Sequence, residues 1–426
     1  MSLALPQADG AALRPLALTP AAAHPLRPLL AHGDLAVIET SRSGHLAQIT
    51  VLALFDASPM QAASIFELPH TWPSFIPSIA GAKVVAGGPD ELYLDVALEI
   101  DVPLTNLKNV SRVQLRRDRS VVEIRTLSGQ LSHSAHHWQF VPLGAQTLVV
   151  YSSYADLREA SWFIRQLVER SRTVGPAVVL TSAMMFINSL RWCLRMGPSV
   201  CRRPGARERY AKERRGGDDR SPPPALVGPY DADALGALRT DALAPLLARG
   251  VVAHIRADAR QRFAQATVWT HVYEPADAIY RLAAQPANYA GLLPTCVRSD
   301  VRSDDGKVAV YELELDVPLS NVVQTHRMVR SPAEAANGDS TLDVTSVGGS
   351  RTRGRWAVHP LSGTAPLRRG PADTLLGYAL AADFTRDSWV ARRMVAREPF
   401  FDHGLNVSAA FLSVLAIRGR VEGWNP

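Results

Sequence analysis

Lysine is nearly missing from this chain. Lys83, Lys108, Lys212 and Lys307 are the four lysines in 426 residues, so arginine carries almost all the positive charge. With so much alanine present, the net charge of +6 reads as compositional bias, and neither half of the chain shows a basic stripe able to track nucleic acid. No nucleic-acid partner is expected. Cysteine is scarce as well. Cys193, Cys201 and Cys296 are unpatterned, which excludes both a disulfide framework and zinc-ligand spacing and reads most simply as reduced thiols in a cytoplasmic protein. There is no P-loop, no Gly-x-Ser-x-Gly elbow, no His-Glu-x-x-His pattern and no complete dinucleotide fingerprint. No cofactor, metal ligand or catalytic residue is therefore assigned. Long apolar runs are few: Val174–Leu190 is uncharged but holds Thr181, Ser182, Asn188 and Ser189, and Gly404–Ile417 is shorter still. Both read as amphipathic helices lying on a sheet rather than membrane spans. Met1–Pro25, with Asp9 and several prolines, does not read as a signal peptide.

What the chain does have is a repeat. Glu99-Ile100-Asp101-Val102-Pro103-Leu104-Thr105-Asn106 returns as Glu314-Leu315-Asp316-Val317-Pro318-Leu319-Ser320-Asn321. The flanks follow in order. Leu29-Leu30-Ala31 with Gly33 matches Leu246-Leu247-Ala248 with Gly250, Ala47-Gln48 matches Ala264-Gln265, Trp138 matches Trp356, and Ser161-Trp162 matches Ser388-Trp389. A period this long is a duplicated domain, since solenoid units run to about 20–50 residues. The copies are expected at 26–200 and 227–426, each able to fold alone, with a Pro/Gly-rich linker at 201–226. Between Cys201 and Arg220 the linker holds eight basic residues against four acidic ones. The first reading is a solvated tether. A second is contact with anionic membrane, which would make the protein peripheral to a membrane while still cytoplasmic.

Within the first copy, His45–Asp56 reads as a strand, and Ser58-Pro59 opens a short helix. Trp72, Phe75 and Ile76 follow in a second helix or turn. Six strand-like segments come next: Lys83–Ala86, Leu92–Asp101, Val110–Arg116, Val121–Leu127, Ser132–Val141 and Gln146–Ser153, parted by turn residues. Val178–Arg195 closes the copy as a helix with Val179, Ala183, Phe186 and Leu190 on one face and Thr181, Asn188 and Arg195 on the other. The second copy repeats the order, ending on a helix with Val407, Ala410, Phe411 and Val414 on one face.

This order, together with Trp72-Pro73-Ser74-Phe75-Ile76-Pro77, its counterpart Tyr289–Pro294, and the Ser161-Trp162 and Ser388-Trp389 entries to the last helices, resembles the START-like superfamily of polyketide cyclase/dehydrase and lipid-transport proteins. The resemblance covers nearly everything outside the first 25 residues and the linker. It implies an α+β fold of two tandem helix-grip domains, each a curved antiparallel sheet wrapped around a long C-terminal helix. It also implies an apolar cavity between sheet and helix that takes a hydrophobic small molecule: a lipid, sterol, quinone or polyketide. Carriage is the leading expectation, and a two-domain polyketide aromatase/cyclase is the alternative.

The residues expected around such cavities are Trp72, Phe75, Arg112, His136, Trp138 and Phe186 in the first copy, and Tyr289, Arg327, Trp356 and Phe411 in the second. Arg112 and Arg327 occupy matching positions and could grip a carboxylate or enolate through a bidentate fork, although an exposed arginine is the commoner outcome. Of the histidines, His133 and His137 fall on the face that is basic in the second copy, at Arg351, Arg353 and Arg355, and so read as solvated. His136 shares the Trp138 face. Glu99 and Asp101 alternate with apolar residues and are expected to point outward rather than to form a catalytic pair.

Overall fold

Two short apolar runs at the head of the copies, Leu35–Ile38 and Val251–Ile255, lie at the middle of the molecule. The computed structural model describes residues 13–40, 46–102, 105–117, 120–129, 131, 133–157, 165, 174–203, 205–206, 208–209, 243–258, 262–293, 296–317, 320–333, 338–348, 351–361, 373–387, 389–398 and 400–423. The first copy supplies β1 (Asp34–Thr40), β2 (Leu46–Phe55), helix α1 (Pro59–Ser64), β3 (Ile79–Gly87), β4 (Glu91–Val102), β5 (Thr105–Arg117), β6 (Val121–Ser128), β7 (Ala135–Leu143), β8 (Gln146–Tyr154) and the long helix α2 (Val174–Met196). The second supplies β9 (Val251–Ala257), β10 (Phe263–Val272), α3 (Ala276–Ala283), β11 (Cys296–Asp304), β12 (Val308–Val317), β13 (Ser320–Ser331), β14 (Ser340–Val347), β15 (Thr352–Pro360), β16 (Thr374–Ala382) and the long helix α4 (Phe400–Val421). Each copy thus has the helix-grip order that the resemblance implies.

Local signals act as expected. Ser58 caps α1 reciprocally: its hydroxyl accepts from the Gln61 amide, and the Gln61 side chain accepts from the Ser58 amide, with Pro59 in the first helical position. The chain then tightens into short 3-10 segments at Ile65–Glu67 and Pro69–Ser74, which place Phe66 and Trp72. Each six-strand run from β3 to β8 and from β11 to β16 pairs antiparallel with its neighbours, in register set by short turns.

Joining the copies is β1 with β9. They pair antiparallel, so one sixteen-stranded sheet runs in the order β11-β12-β13-β14-β15-β16-β10-β9-β1-β2-β8-β7-β6-β5-β4-β3. The register centres on Ala36 facing Ala253, with Asp34 facing Ile255 at one end and Ile38 facing Val251 at the other. The repeated glycines serve this seam. A methyl group on Gly33 would run into the carbonyl oxygen of Ile255, and one on Gly250 into that of Ile38. A polar strap crosses nearby, where Arg249 of the second copy meets Glu39 of the first at 2.9 Å and Gln48 donates to the same carboxylate. Burial holds the Glu39 carboxyl above its ordinary range against the pull of Arg249.

The long helices also pack on each other. The Cα of Gly404 on α4 lies so close to α2 that a side chain there would meet Thr181 and the Ala177 carbonyl. Thr181 and Asn188, expected on a polar outer face, are buried, and each returns its side chain to a carbonyl one turn back, at Ala177 and Met184. Arg191 of α2 pairs with Asp34 of β1 at 2.6 Å. Both α2 and α4 are long and apolar enough to cross a membrane by length and composition, but 72% and 78% of their most apolar windows are buried inside this protein, as core helices are. The opposite face of the sheet near the seam is covered by Leu26, Leu29, Leu30, Leu246 and Leu247, packed with Trp269.

Three expectations change. Cys193 and Cys201, expected as reduced thiols, form a disulfide across the end of α2, with Cα atoms 5.1 Å apart, while Cys296 is a buried free thiol whose pKa burial pushes up to about 11. Cys201 and Ala206, assigned to the linker, are buried in the core, so the first copy extends past 200. Arg202, one of the proposed membrane-facing arginines, donates to the Ser64 carbonyl at 3.0 Å and belongs to the fold. The linker from 210 to 226 lies outside the described residues.

Candidate functional site

Alternation along β4 to β8 turns every second side chain toward α2, and between them lies a cavity of about 150 Å³. Its walls are apolar for most of their extent: Val96, Leu98, Val113, Ile124 and Trp138 come from the sheet, Phe66, Trp72 and Ile76 from the segment after α1, and Val178, Val179 and Phe186 from α2. Leu131 closes part of the rim from the β6–β7 turn in a left-handed conformation (φ 62°), rare for a leucine. Polar groups also line the hollow. Ser78, Ser111, Thr126, Ser134, His136, Tyr151, Ser153 and Ser182 all reach it. Among the described lining residues there is no Arg, Lys, Asp or Glu.

His136 is the centre of that polar set. Its Nδ1 lies 2.8 Å from the Tyr151 hydroxyl and 3.1 Å from the Ser153 hydroxyl. Tyr151 stacks on Trp138 with ring centroids 3.9 Å apart, and Phe186 leans on both His136 and Tyr151 at 6.3 Å. Burial lowers the His136 pKa to about 4 and raises that of Tyr151, so both are neutral near pH 7. Between an unfolded value near 6.5 and the folded value near 4, the unfolded chain binds the extra proton, so stability falls as pH drops through that window. We expect His136→Gln, which cannot titrate, to flatten the urea-unfolding profile between pH 6.5 and 4 by up to about 3 kcal/mol. A profile as steep as that of the wild type would show that His136 charges without cost.

Placement of the expected residues is mixed. Trp72, His136, Trp138 and Phe186 line the cavity. Phe75 is fully buried and is not among the lining residues. The Arg112 side chain lies outside the described residues, as do those of Glu99 and Asp101; the neighbours of Arg112 on β5, Ser111 and Val113, both line the cavity. In the second copy Arg327 is exposed between buried His326 and Met328, so the expected carboxylate grip at that position is corrected: its strand face points to solvent. His137, expected to be solvated, is half-buried, and burial lowers its pKa against the opposing charge of Glu123. Tyr289 is buried, donates to the Ala283 carbonyl and meets Tyr311 edge-on at 5.7 Å, while Phe411 sits in the core.

Trp356 stacks on Tyr378 at 4.2 Å, as Trp138 does on Tyr151. The chemistry around that pair differs, however. Gly354 stands where the first copy has His136, Leu380 stands where it has Ser153, and the Tyr378 ring lies directly over Gly354. The repeat alignment thus gives the His–Tyr–Ser group to the first copy alone. Tyr151 and Ser153 escaped the sequence reading because they lie in a strand of plain β-formers. Setting Tyr151-Ser152-Ser153 beside Tyr378-Ala379-Leu380 would have exposed them.

No family model matches the chain, and no curated protein matches it. Solved structures do. One is a di-domain ARO/CYC protein, BexL from the BE-7585A biosynthetic pathway, at 12% identity, covering 87% of this chain and 97% of its own, with a TM-score of 0.26. A second is a fragment of the STAR-related lipid transfer protein from Xanthomonas axonopodis, at 16% identity over 41% of this chain and 94% of its own, with a TM-score of 0.31. A third is human STARD10, at 13% identity over 37% of this chain and 69% of its own, with a TM-score of 0.27.

Proposed function

We propose that the first copy binds and carries a hydrophobic small molecule in the hollow between its curved sheet and α2. The observation that supports this reading most is the apolar cavity itself, walled by aromatic and aliphatic side chains and furnished with a few neutral polar groups. Removing an apolar ligand from water supplies the affinity, and the polar groups set its orientation. Size narrows the choice. A void of about 150 Å³ accepts a single ring or a short acyl segment, whereas the pockets of drug-sized ligands run to roughly 300–1,000 Å³. A sterol or long polyketide therefore requires the Phe66–Trp72 wall or Phe186 to swing outward.

Trp72 and Trp138 report occupancy directly, since both line the cavity. Titration with an apolar ring compound is expected to change tryptophan emission saturably in the wild type. Phe186→Trp, which fills the space without charge, is expected to weaken that binding at least tenfold while leaving the circular dichroism spectrum intact. Equal binding by a folded Phe186→Trp protein would exclude this cavity as the site.

His136 and Tyr151 also support a second reading, the two-domain polyketide aromatase/cyclase. A neutral imidazole 2.8 Å from a phenol is an acid–base pair facing an apolar chamber, which enolisation and ring closure of a poly-β-ketone would use. Turnover of a poly-β-ketone thioester above the buffer rate by wild type, lost in His136→Leu, would establish it. Ligand binding without turnover would leave carriage.

A further inference from the structure

We infer that the first-copy cavity selects uncharged ligands that end in a carbonyl or hydroxyl group and excludes carboxylates, with His136 as the residue that reads the ligand's polar end. This rests on the binding reading above and deepens it.

Three observations carry it. First, the described lining residues include no cation, so an ionised carboxylate placed there would be desolvated without a partner. Second, the polar groups that do line the cavity are neutral hydroxyls and one imidazole. Third, Nδ1 of the imidazole is taken up by the Tyr151 and Ser153 hydroxyls, which leaves Nε2 with no partner among the described residues. In the tautomer that accepts the Tyr151 O–H at Nδ1, the neutral ring carries its proton on Nε2. A ligand carbonyl or hydroxyl oxygen would supply the missing acceptor. The second copy, with Gly354 at the matching place, has no equivalent donor there.

A matched set of small ligands tests this on the full-length protein, because 4-phenylbutan-2-one and 3-phenylpropanoate share ring and spacer and differ at the end in a methyl group against a charged oxygen. Dissociation constants would be measured at pH 8 by tryptophan emission or ligand-observed NMR for this pair, for 4-phenylbutan-2-ol and for propylbenzene. The ketone and alcohol are expected to bind at least tenfold tighter than the carboxylate and several-fold tighter than the hydrocarbon. Lowering the pH to 5 is expected to narrow the gap to the carboxylate as the ligand itself approaches protonation near pH 4–5. His136 and Tyr151 are the only titratable groups among the described lining residues, and Glu123 and His137 belong to the alternate face of β6 and β7. His136→Leu is expected to remove the advantage of the ketone over propylbenzene, read as the ratio of the two dissociation constants within that variant.

Carboxylate binding as tight as ketone binding at pH 8 overturns the inference. Loss of that tight binding in Arg112→Gln would then identify Arg112 as the cation that grips it. If propylbenzene and the ketone both fail to bind, the binding reading itself fails and this inference with it. If propylbenzene binds and the ketone gains nothing from His136, only the selectivity is refuted.

Discussion

Cut between Asp219 and Arg220 and co-expressed as two polypeptides, the chain is expected to purify as a one-to-one complex. Either piece made alone is expected to aggregate or to melt at least ~10 °C below the whole. The complete repeat and polar linker of the sequence point to independent copies. The structure shows what each would lose: the β1–β9 ladder, the α2–α4 contact at Gly404, and the Arg249–Glu39 strap. Stripping these exposes a central strand as a bare edge and an apolar helix face to water. A loss of only a few kcal/mol is enough, because 1 kcal/mol moves the melting point of a 150–250-residue unit by about 2–4 °C. Size-exclusion chromatography and thermal melts of the separate pieces decide it. Two monomeric pieces, each melting cooperatively within a few degrees of the parent, would show the seam to be incidental.

Gly33→Val combined with Gly250→Val is expected to destabilise the protein by about 2–6 kcal/mol in urea unfolding. At each position the new side chain meets a backbone carbonyl of the opposite strand, at Ile255 and Ile38, which cannot rotate away. Overpacking against a rigid neighbour costs roughly 1–3 kcal/mol per site, and both sites bear on the same five-residue ladder. Gly88→Ala is the matched control, since a side chain there meets open space and should stay within about 0.5 kcal/mol of the wild type. A double variant that unfolds at the same urea concentration as this control would mean the seam yields without cost.

Much of the fold could be read from the chain. Strand alternation and the long apolar faces point to β2 to β8 and both long helices, because half-buried strands and amphipathic helices leave a period in the sequence. The cavity residues Trp72, His136, Trp138 and Phe186 follow from the family resemblance. The seam strands left none. Leu35–Ile38 and Val251–Ile255 are buried on both faces, so they read as short apolar runs without alternation, and their partner is more than 200 residues away. Their signal was present in another form. Gly33 and Gly250 recur at matching places where a short helix gives way to the seam strand, and a repeated glycine beside an apolar run marks a close backbone approach. Arg327 was misplaced for the opposite reason. Its match to Arg112 suggested shared work, but on β13 its neighbours His326 and Met328 take the inward positions.

The symmetry of the β1–β9 register has one more consequence. Ala36 and Ala253 stand at the same place in their copies, and Asp34 facing Ile255 repeats, reversed, as Ile38 facing Val251. Such a contact is isologous: one patch meeting its own equivalent across a two-fold axis. A chain holding a single copy would already carry both sides of it and could meet its twin, but only above the concentration at which the dimer forms. Fusion removes that threshold. The linker keeps the second patch at a fixed effective concentration, so the seam closes in one molecule as readily at nanomolar dilution as at high abundance.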